Sequence, residues 1–131
     1  MHNHHFNNEE EDILKKIKKI NKLIAEHEED IANPILNYLS SRKDIRLIGK
    51  NKILNKNRAP TISFTSTKRK SKEISDILVK NKIATRNDNF YAWRCLNHLG
   101  IDTNDGVVRL SMTHYNNIRD TELVINALEK I

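Results

Sequence analysis

The chain has 131 residues, of which 37% are apolar, 31% are charged and only 5% are aromatic. This length predicts a single domain with enough apolar material for one modest core. No run of about 18 apolar residues is present, which argues against a membrane-spanning helix and a membrane partner. The N-terminus also lacks the apolar stretch of a secretory signal. Because Cys95 is the only cysteine, neither an internal disulfide nor a cysteine-based metal cage is expected, and the cytoplasm is the expected compartment.

The chain divides into a short leading segment and one folded unit. Residues 1–8, which include three histidines, are predicted to be disordered and to hold no native metal site. Residues 9–131 are predicted to form the domain, which opens with a helical segment over 9–41. The acidic residues 9–12 crowd the first turn, where negative charge complements the helix dipole. Pro34 predicts a break, or a new helix that begins near Asn33.

This helical segment carries a narrow apolar stripe on an otherwise lysine-rich surface. Its members recur at helical spacing: Ile13, Ile17, Ile20, Ile24 and Ile31. A stripe of this width requires a surface to pack against. That surface is either the sheet of the same domain or a partner, and a homodimer through this helix is one form that such a partner can take.

Four short strands are predicted to alternate with helices in the rest of the chain. The strands cover 45–48, 60–66, 83–86 and 106–112. Helices cover 71–80, closed by a left-handed Asn81, and 90–99, closed by Gly100. A last helix is capped by Asn117, with Asp120 completing a capping box. The pattern predicts an α/β fold of the α+β kind: a small, mixed or mostly antiparallel four-stranded sheet covered on one face by helices.

The positive charge is concentrated in the middle of the chain. The whole chain carries a formal charge of +6, whereas residues 42–82 contain 13 Lys and Arg against 3 Asp and Glu, a local charge of +10. Such a segment can be the footprint of a nucleic-acid-binding protein. Grooves for single strands, however, interleave aromatic side chains for base stacking, and Phe64 is the only aromatic residue here. We therefore expect no specific nucleic-acid partner.

The sequence lacks the common catalytic signatures, which include a glycine-rich phosphate loop, a GxSxG elbow and an HExxH pair. Cys95 is predicted to be a small buried thiol rather than a nucleophile. His27 and His98 have no carboxylate at ligand spacing and are predicted to be surface or boundary residues. No catalytic or metal-binding residue is predicted.

Arg109 is the one candidate that pattern alone provides. It interrupts the apolar strand Val107-Val-Arg-Leu-Ser111, where burial of a charge is costly unless the charge meets an anion. The planar guanidinium suits a carboxylate. The alternative is that Arg109 points to the solvated face of the sheet, and the alternation allows either arrangement.

Three stretches taken in order resemble the C-terminal part of class V aminotransferases, which are fold-type I pyridoxal-phosphate enzymes, and most of all the cysteine desulfurase-like group. They are RAPTISF at 58–64, IATRNDNFYAWRCLNHLG at 83–100 and GVVRLSMTHYNN at 106–117. The preceding EHEE at 26–29 and DIRLIG at 44–49 are similar to the helix and strand that lead into that small domain. The resemblance covers about residues 10–131.

The resemblance implies roles for four residues. The arginine of the late VRLS strand binds the substrate carboxylate in that family, and Arg109 matches its position. Arg86 matches an arginine that is often found near the site. Asn89 and His114 fall on segments that face the cleft and are further candidates for substrate contacts.

The resemblance also implies what this chain lacks. In the family the Schiff-base lysine and the other cofactor contacts belong to a preceding large domain, so this chain alone is expected to bind no pyridoxal phosphate. Tyr91 stands where the desulfurase cysteine is expected, and Cys95 lies about one helical turn further on. The chain is thus interpreted as the carboxylate-binding C-terminal domain of such an enzyme, inactive without its large-domain partner. The alternatives are a non-enzymatic docking or regulatory module, or a small basic nucleic-acid binder.

Overall fold

The computed structural model describes residues 1–6, 12–54 and 57–131. Two helices come first, a single turn and then the longest helix of the chain: α1 (His2–His5) and α2 (Ile13–Ser41). The sheet and the remaining helices follow in this order: β1 (Ile45–Ile48), β2 (Thr61–Ser66), α3 (Ser71–Lys80), β3 (Arg86–Asp88), α4 (Trp93–His98), β4 (Val107–Ser111) and α5 (Ile118–Leu128). No helix within the described ranges is long and apolar enough to cross a membrane.

At the start of the chain the structure describes residues 1–6, and the disorder expected for residues 1–8 stays a prediction. Four of those residues form the single turn α1, which contacts α2. The acidic first turn was predicted to begin at residue 9, but residues 7–11 lie outside the described part of the chain. In the described part, α2 begins at Ile13 with Asp12 as its N-cap.

Pro34 does not break α2, and that prediction was wrong. The helix continues through Pro34 from Ile13 to Ser41. A proline removes one backbone N–H from the helical ladder, but the residues around it are fixed by tertiary contacts. The Asn33 side chain donates to the carbonyl of Ile53 at 3.1 Å and accepts from its N–H at 2.8 Å. Burial of Ile35 and Leu36 beyond Pro34 holds the second half of the helix in line.

The four strands form one sheet in the order β1-β2-β4-β3, and all three strand pairs are antiparallel. This confirms the predicted fold class. The central pair is β2 with β4, in which Phe64 lies opposite Val108. The register places alternate residues of each strand on opposite faces of the sheet.

One face of the sheet carries the main core. Ile62 and Phe64 of β2 pack with Val108 and Leu110 of β4, and α2, α3 and α5 cover them. The helices contribute fully buried side chains: Ile35, Leu36 and Leu39 from α2, Ile74 and Leu78 from α3, and Leu128 from α5. Because Val108 points into this core, its neighbour Arg109 points to the opposite face of the sheet.

The opposite face is covered only in part. Leu96 of α4 and Ile101 pack on Val107 in a second small apolar cluster, against which Ile48 and Phe90 also lie. The three longer helices therefore share one face, as predicted, while the short α4 lies on the other. On the rest of this second face, the open face from here on, no described helix packs, and Ser63 and Arg109 are half-buried.

Element boundaries after α3 differ from the prediction. The helix expected to begin at residue 90 begins at Trp93, because Phe90 and Tyr91 have left-handed backbone. The left-handed residue that ends α3 is Lys82, with φ of 63°, and not Asn81, whose φ is −89°. Ile83 N–H then bonds back to the carbonyl of Leu78 at 3.0 Å. The strand predicted at 83–86 is displaced to Arg86–Asp88, because pairing with β4 fixes its position. Gly100 and the Asn117 capping box agree with the prediction.

Candidate functional site

A row of side chains crosses the open face of the sheet. The register aligns Ile48 with Ser63, Ser63 with Arg109, and Arg109 with Arg86. Directly opposed residues of antiparallel strands project from the same face. Arg86 and Arg109, the arginine pair from here on, therefore lie side by side, with Ser63 on the other flank of Arg109.

Arg109 points to this open face and not into the core. Its guanidinium stacks over the Phe90 ring, with 4.0 Å from the guanidinium carbon to the ring centroid. The Thr85 hydroxyl donates to its carbonyl at 2.9 Å and so holds its backbone. Among the described residues, no side chain or carbonyl accepts a hydrogen bond from the guanidinium. A half-buried arginine with all its donors free is available to an anion.

Arg86 lies at the edge of the sheet and is exposed. Like charges directly opposite each other in antiparallel strands destabilise the pairing. In the described chain, neither member of the arginine pair forms an ion pair with a carboxylate. Arg46, on the same face of β1, differs because its guanidinium donates to the carbonyl of Leu99 at 2.7 Å. The fold thus satisfies one of three arginines on this face and leaves the pair unsatisfied.

The loop after β3 positions Phe90 beneath Arg109. Phe90 and Tyr91 both have left-handed backbone, with φ of 51° and 60°, a conformation that residues other than glycine seldom adopt. The side chain of Asn89 stabilises this conformation. Its Oδ1 accepts from Tyr91 N–H at 3.0 Å, and its Nδ2 donates to the carbonyl of Thr103 at 3.4 Å. Asn89 therefore shapes the loop. Its suggested role as a substrate contact stays a prediction.

His114 lies at a different place from the arginine pair. It is exposed and stacks edge-on against Tyr115, with 5.6 Å between ring centroids. It borders a cleft of about 220 Å³ whose other lining residues come from the N-terminus and α2. His27 lines the same cleft, and its Nε2 lies 2.7 Å from the carbonyl oxygen of Asn116. The role of His114 as a substrate contact stays a prediction.

Cys95 is exposed, so the prediction of a buried thiol was wrong. The helix α4 has only six residues and turns Leu96 inwards, which leaves the preceding position to face solvent. Tyr91, where the resemblance leads one to expect a cysteine, is 97% exposed. The tip of this loop therefore presents an exposed phenol, and an exposed thiol follows four residues later.

The described residues of the basic segment, 42–54 and 57–82, offer no accessible aromatic side chain for base stacking. Phe64, its one aromatic residue, is fully buried and is inaccessible to a base. Arg42 and Lys68 both contact the carboxylate of Asp44, at 2.6 and 3.6 Å. These two positive charges therefore stabilise the fold through Asp44.

The described residues do not fit pyridoxal phosphate. Such a site needs a lysine in an enclosed pocket with a carboxylate for the ring nitrogen. Lys82 and Asp120 do line one cleft of about 330 Å³, but Lys82 is exposed. One oxygen of Asp120 already accepts from the Asn117 N–H at 3.0 Å and from the Asn116 amide at 3.2 Å. This carboxylate caps α5. Nor do three or more potential metal ligands come together in the described part of the chain.

The fold is one that cysteine desulfurases contain. The cysteine desulfurase of Thermococcus onnurineus NA1 superposes with a TM-score of 0.71 at 22% identity, over 88% of this chain and 28% of that one. The cysteine desulfurase CsdA of Escherichia coli gives 0.68 at 20% identity, over 81% of this chain and 24% of that one. These likenesses establish the fold.

The sequence establishes the family. The chain belongs to the class-V aminotransferases, whose family model matches residues 11–124. The aminotransferase-like protein FGM3 of Gibberella zeae is 30% identical over 109 residues, which are 82% of this chain and 27% of that protein. The resemblance inferred from the sequence is thereby confirmed. The chain spans about a quarter of the length of these relatives.

Proposed function

We propose that this chain is the substrate-carboxylate-binding small domain of a pyridoxal-phosphate-dependent class V aminotransferase or cysteine desulfurase-like protein. The cofactor-binding large domain is supplied from outside these residues. The observation that carries the proposal is the free guanidinium of Arg109, stacked on Phe90 at 4.0 Å on the open face of the sheet. Membership of the family supports the cofactor, and the poor fit of the described residues to that cofactor supports a separate large domain.

The chemistry of this chain is orientation of the substrate. A guanidinium binds a carboxylate through two parallel N–H bonds, which fix its direction as well as its distance. Phe90 keeps the guanidinium plane in one orientation, and the hydroxyl of Ser63 adds a polar group beside it. Holding the α-carboxylate here fixes the amino group and Cα relative to the large domain. Pyridoxal phosphate bound to that large domain would supply the electron sink of the reaction.

The exposed part of α2 supports docking of a second protein surface. None of the residues in the first half of this helix is buried, and Ile13, Leu14 and Ile17 are 69%, 63% and 48% exposed. Apolar residues clustered in this way mark interaction sites. We assign this surface, the α2 stripe of Ile13, Leu14 and Ile17, to the large domain. Ile31, which was predicted to continue the stripe, is buried in the core of this domain instead. The same observation favours the second candidate function, a non-enzymatic docking module, which differs in having no ligand at Arg109.

The α2 stripe provides a first prediction. Replacing Ile13 and Ile17 together by glutamine is expected to change the free energy of unfolding by less than about 0.5 kcal/mol, because both side chains already face solvent. Replacing Ile31 on the same helix, which is 2% exposed, is expected to cost about 2–5 kcal/mol. Urea unfolding checks both variants, and sedimentation velocity checks their association. A double variant that unfolds as easily as Ile31→Gln would show the stripe to be core.

The carboxylate site provides the test of the proposed function. Titration of the ¹⁵N-labelled chain with propionate, followed by NMR, is expected to shift the amides around Arg109 and Phe90. Arg109→Gln is expected to weaken this binding at least ten-fold. Arg109→Lys is expected to restore only part of it, because an ammonium group cannot make the paired bonds. Binding that is indifferent to Arg109 would remove the basis for the proposal and leave the docking module.

A further inference from the structure

We propose that the arginine pair binds an amino-acid substrate with two anionic groups, in which Arg109 takes one group and Arg86 takes the other. This inference rests on the proposed function, because it names the substrate class of the same site. A substrate of this class is an acidic amino acid, with a second carboxylate or another acidic group at the end of its side chain.

The register of β3 and β4 places the two arginines close together. Arg86 and Arg109 are direct partners in the antiparallel pair β3–β4, so their Cβ atoms are about 4.5–5.5 Å apart on the same face. Two guanidinium groups that start so close can contact the two ends of one small molecule. Thr85, the neighbour of Arg86, donates to the Arg109 carbonyl at 2.9 Å and so ties the two strands together at this point.

The two positive charges of the arginine pair favour a ligand with two negative charges. Two like charges held opposite each other raise the energy of the folded chain, and nothing in the described residues compensates them. The nearest acidic position on β3 is Asp88, whose carboxylate accepts from the Asn89 N–H at 2.6 Å and turns the loop. A ligand with one negative charge leaves one guanidinium uncompensated, whereas a ligand with two neutralises the pair.

The position of the pair supports a built site over scattered surface charge. Arg109 is half-buried and stacked, so its guanidinium is already ordered before a ligand arrives. Val107, two residues before Arg109, belongs to the small apolar cluster that walls one side of the site. An ordered cation beside an apolar wall is less screened by solvent than an isolated surface arginine, and it therefore adds more to the binding of an anion.

The experiment compares a monoanion with a dianion of similar size. Propionate and succinate are titrated at constant ionic strength into the ¹⁵N-labelled chain and followed by NMR. We expect succinate to bind at least ten-fold more tightly than propionate. Arg86→Gln is expected to remove this advantage and to leave propionate binding within two-fold. Arg109→Gln is expected to weaken both ligands. Arg86, Arg109 and the control position Arg46 are all at least partly exposed, so the variants are expected to fold.

Arg46→Gln is the matched control, because it removes one positive charge from the same face of the sheet at a position that the fold already satisfies. It is expected to change the affinity of neither ligand by more than two-fold. If it weakens succinate as much as Arg86→Gln does, the effect is general attraction and the inference is overturned. Propionate binding that depends on Arg109, with no preference for succinate, also overturns the inference but leaves the proposed function in place. Independence of both ligands from Arg109 overturns both proposals.

Discussion

Replacement of Gly106 by alanine is expected to destabilise the protein by about 2–5 kcal/mol, with contributions from backbone strain and from a steric clash. Gly106 has a φ of +67°, an angle that residues other than glycine adopt only with strain. A Cβ atom at this position would also overlap the backbone of Asp88 and approach the Asn89 N–H nitrogen to 2.8 Å. Backbone atoms in a paired strand cannot rotate away, so β3 has to move off β4.

Gly100 is a matched control for this prediction. Its φ of +66° is nearly the same, but a Cβ atom there would have no neighbour within 4 Å. Gly100→Ala is therefore expected to show the strain alone, about 1 kcal/mol. The difference between the two variants in urea unfolding measures the clash. Equal losses at both positions would show that the close approach of Gly106 to β3 does not constrain the fold.

The same substitution tests how the arginine pair is held. Arg86 keeps its place opposite Arg109 only while β3 stays paired with β4, and that pair spans three residues. Gly106→Ala is therefore expected to weaken any ligand that needs both arginines more than one that needs Arg109 alone. Succinate and propionate titrations on the variant, under conditions in which it is still folded, check this. Equal weakening of both ligands would contradict it.

Features with local causes could be predicted from the sequence. The helix α3 occupies Ser71–Lys80 as expected, and the Asn117 capping box is formed, because in both cases the residues that determine the structure are neighbours in sequence. The strand β1 also agrees with the prediction. Alternation along β4 correctly offered the solvated face as one direction for Arg109.

Features that depend on distant residues could not be predicted. The position of β3 is set by its register with β4 and by the close approach of Gly106 to Asp88, which no local pattern reveals. For the same reason the sequence named Arg86 and Arg109 separately but did not place them opposite each other. The exposure of Cys95 follows from the orientation of α4, which turns Leu96 inwards. The continuity of α2 through Pro34 follows from contacts with distant residues, among them the bond from Asn33 to Ile53, 20 positions away.

The C-terminus is anchored by the side chain of Arg42, and its loss is the second large effect that we expect. Nε and Nη2 donate to the two carboxylate oxygens of Asp44 at 2.9 and 2.6 Å. Nη1 donates to the carbonyl of Leu128 at 3.0 Å and Nη2 to that of Ile131 at 3.3 Å. Arg42→Ala removes these four hydrogen bonds and leaves the Asp44 carboxylate with the more distant Lys68 at 3.6 Å, so we expect a loss of about 2–3 kcal/mol. Arg46→Ala, which removes one bond at an exposed site, is expected to cost about 0.5 kcal/mol.

The stability that Arg42 provides is expected to depend on pH in one direction. The paired hydrogen bonds from Arg42 hold the pKa of the Asp44 carboxyl well below its usual range, and the charge of Lys68 adds to this. Because the folded pKa lies below the unfolded value of about 3.9, this stabilisation is fully present above that value and is lost as the pH falls towards the folded pKa.

The difference in unfolding free energy between the wild type and Arg42→Ala is thus expected to be constant from about pH 7 to 5 and to shrink by about pH 3. Urea unfolding at these three pH values measures it, with Asp44→Asn as the variant in which this part of the pH dependence disappears. A difference as large at pH 3 as at pH 7 would show that the Asp44 carboxylate does not contribute through its charge.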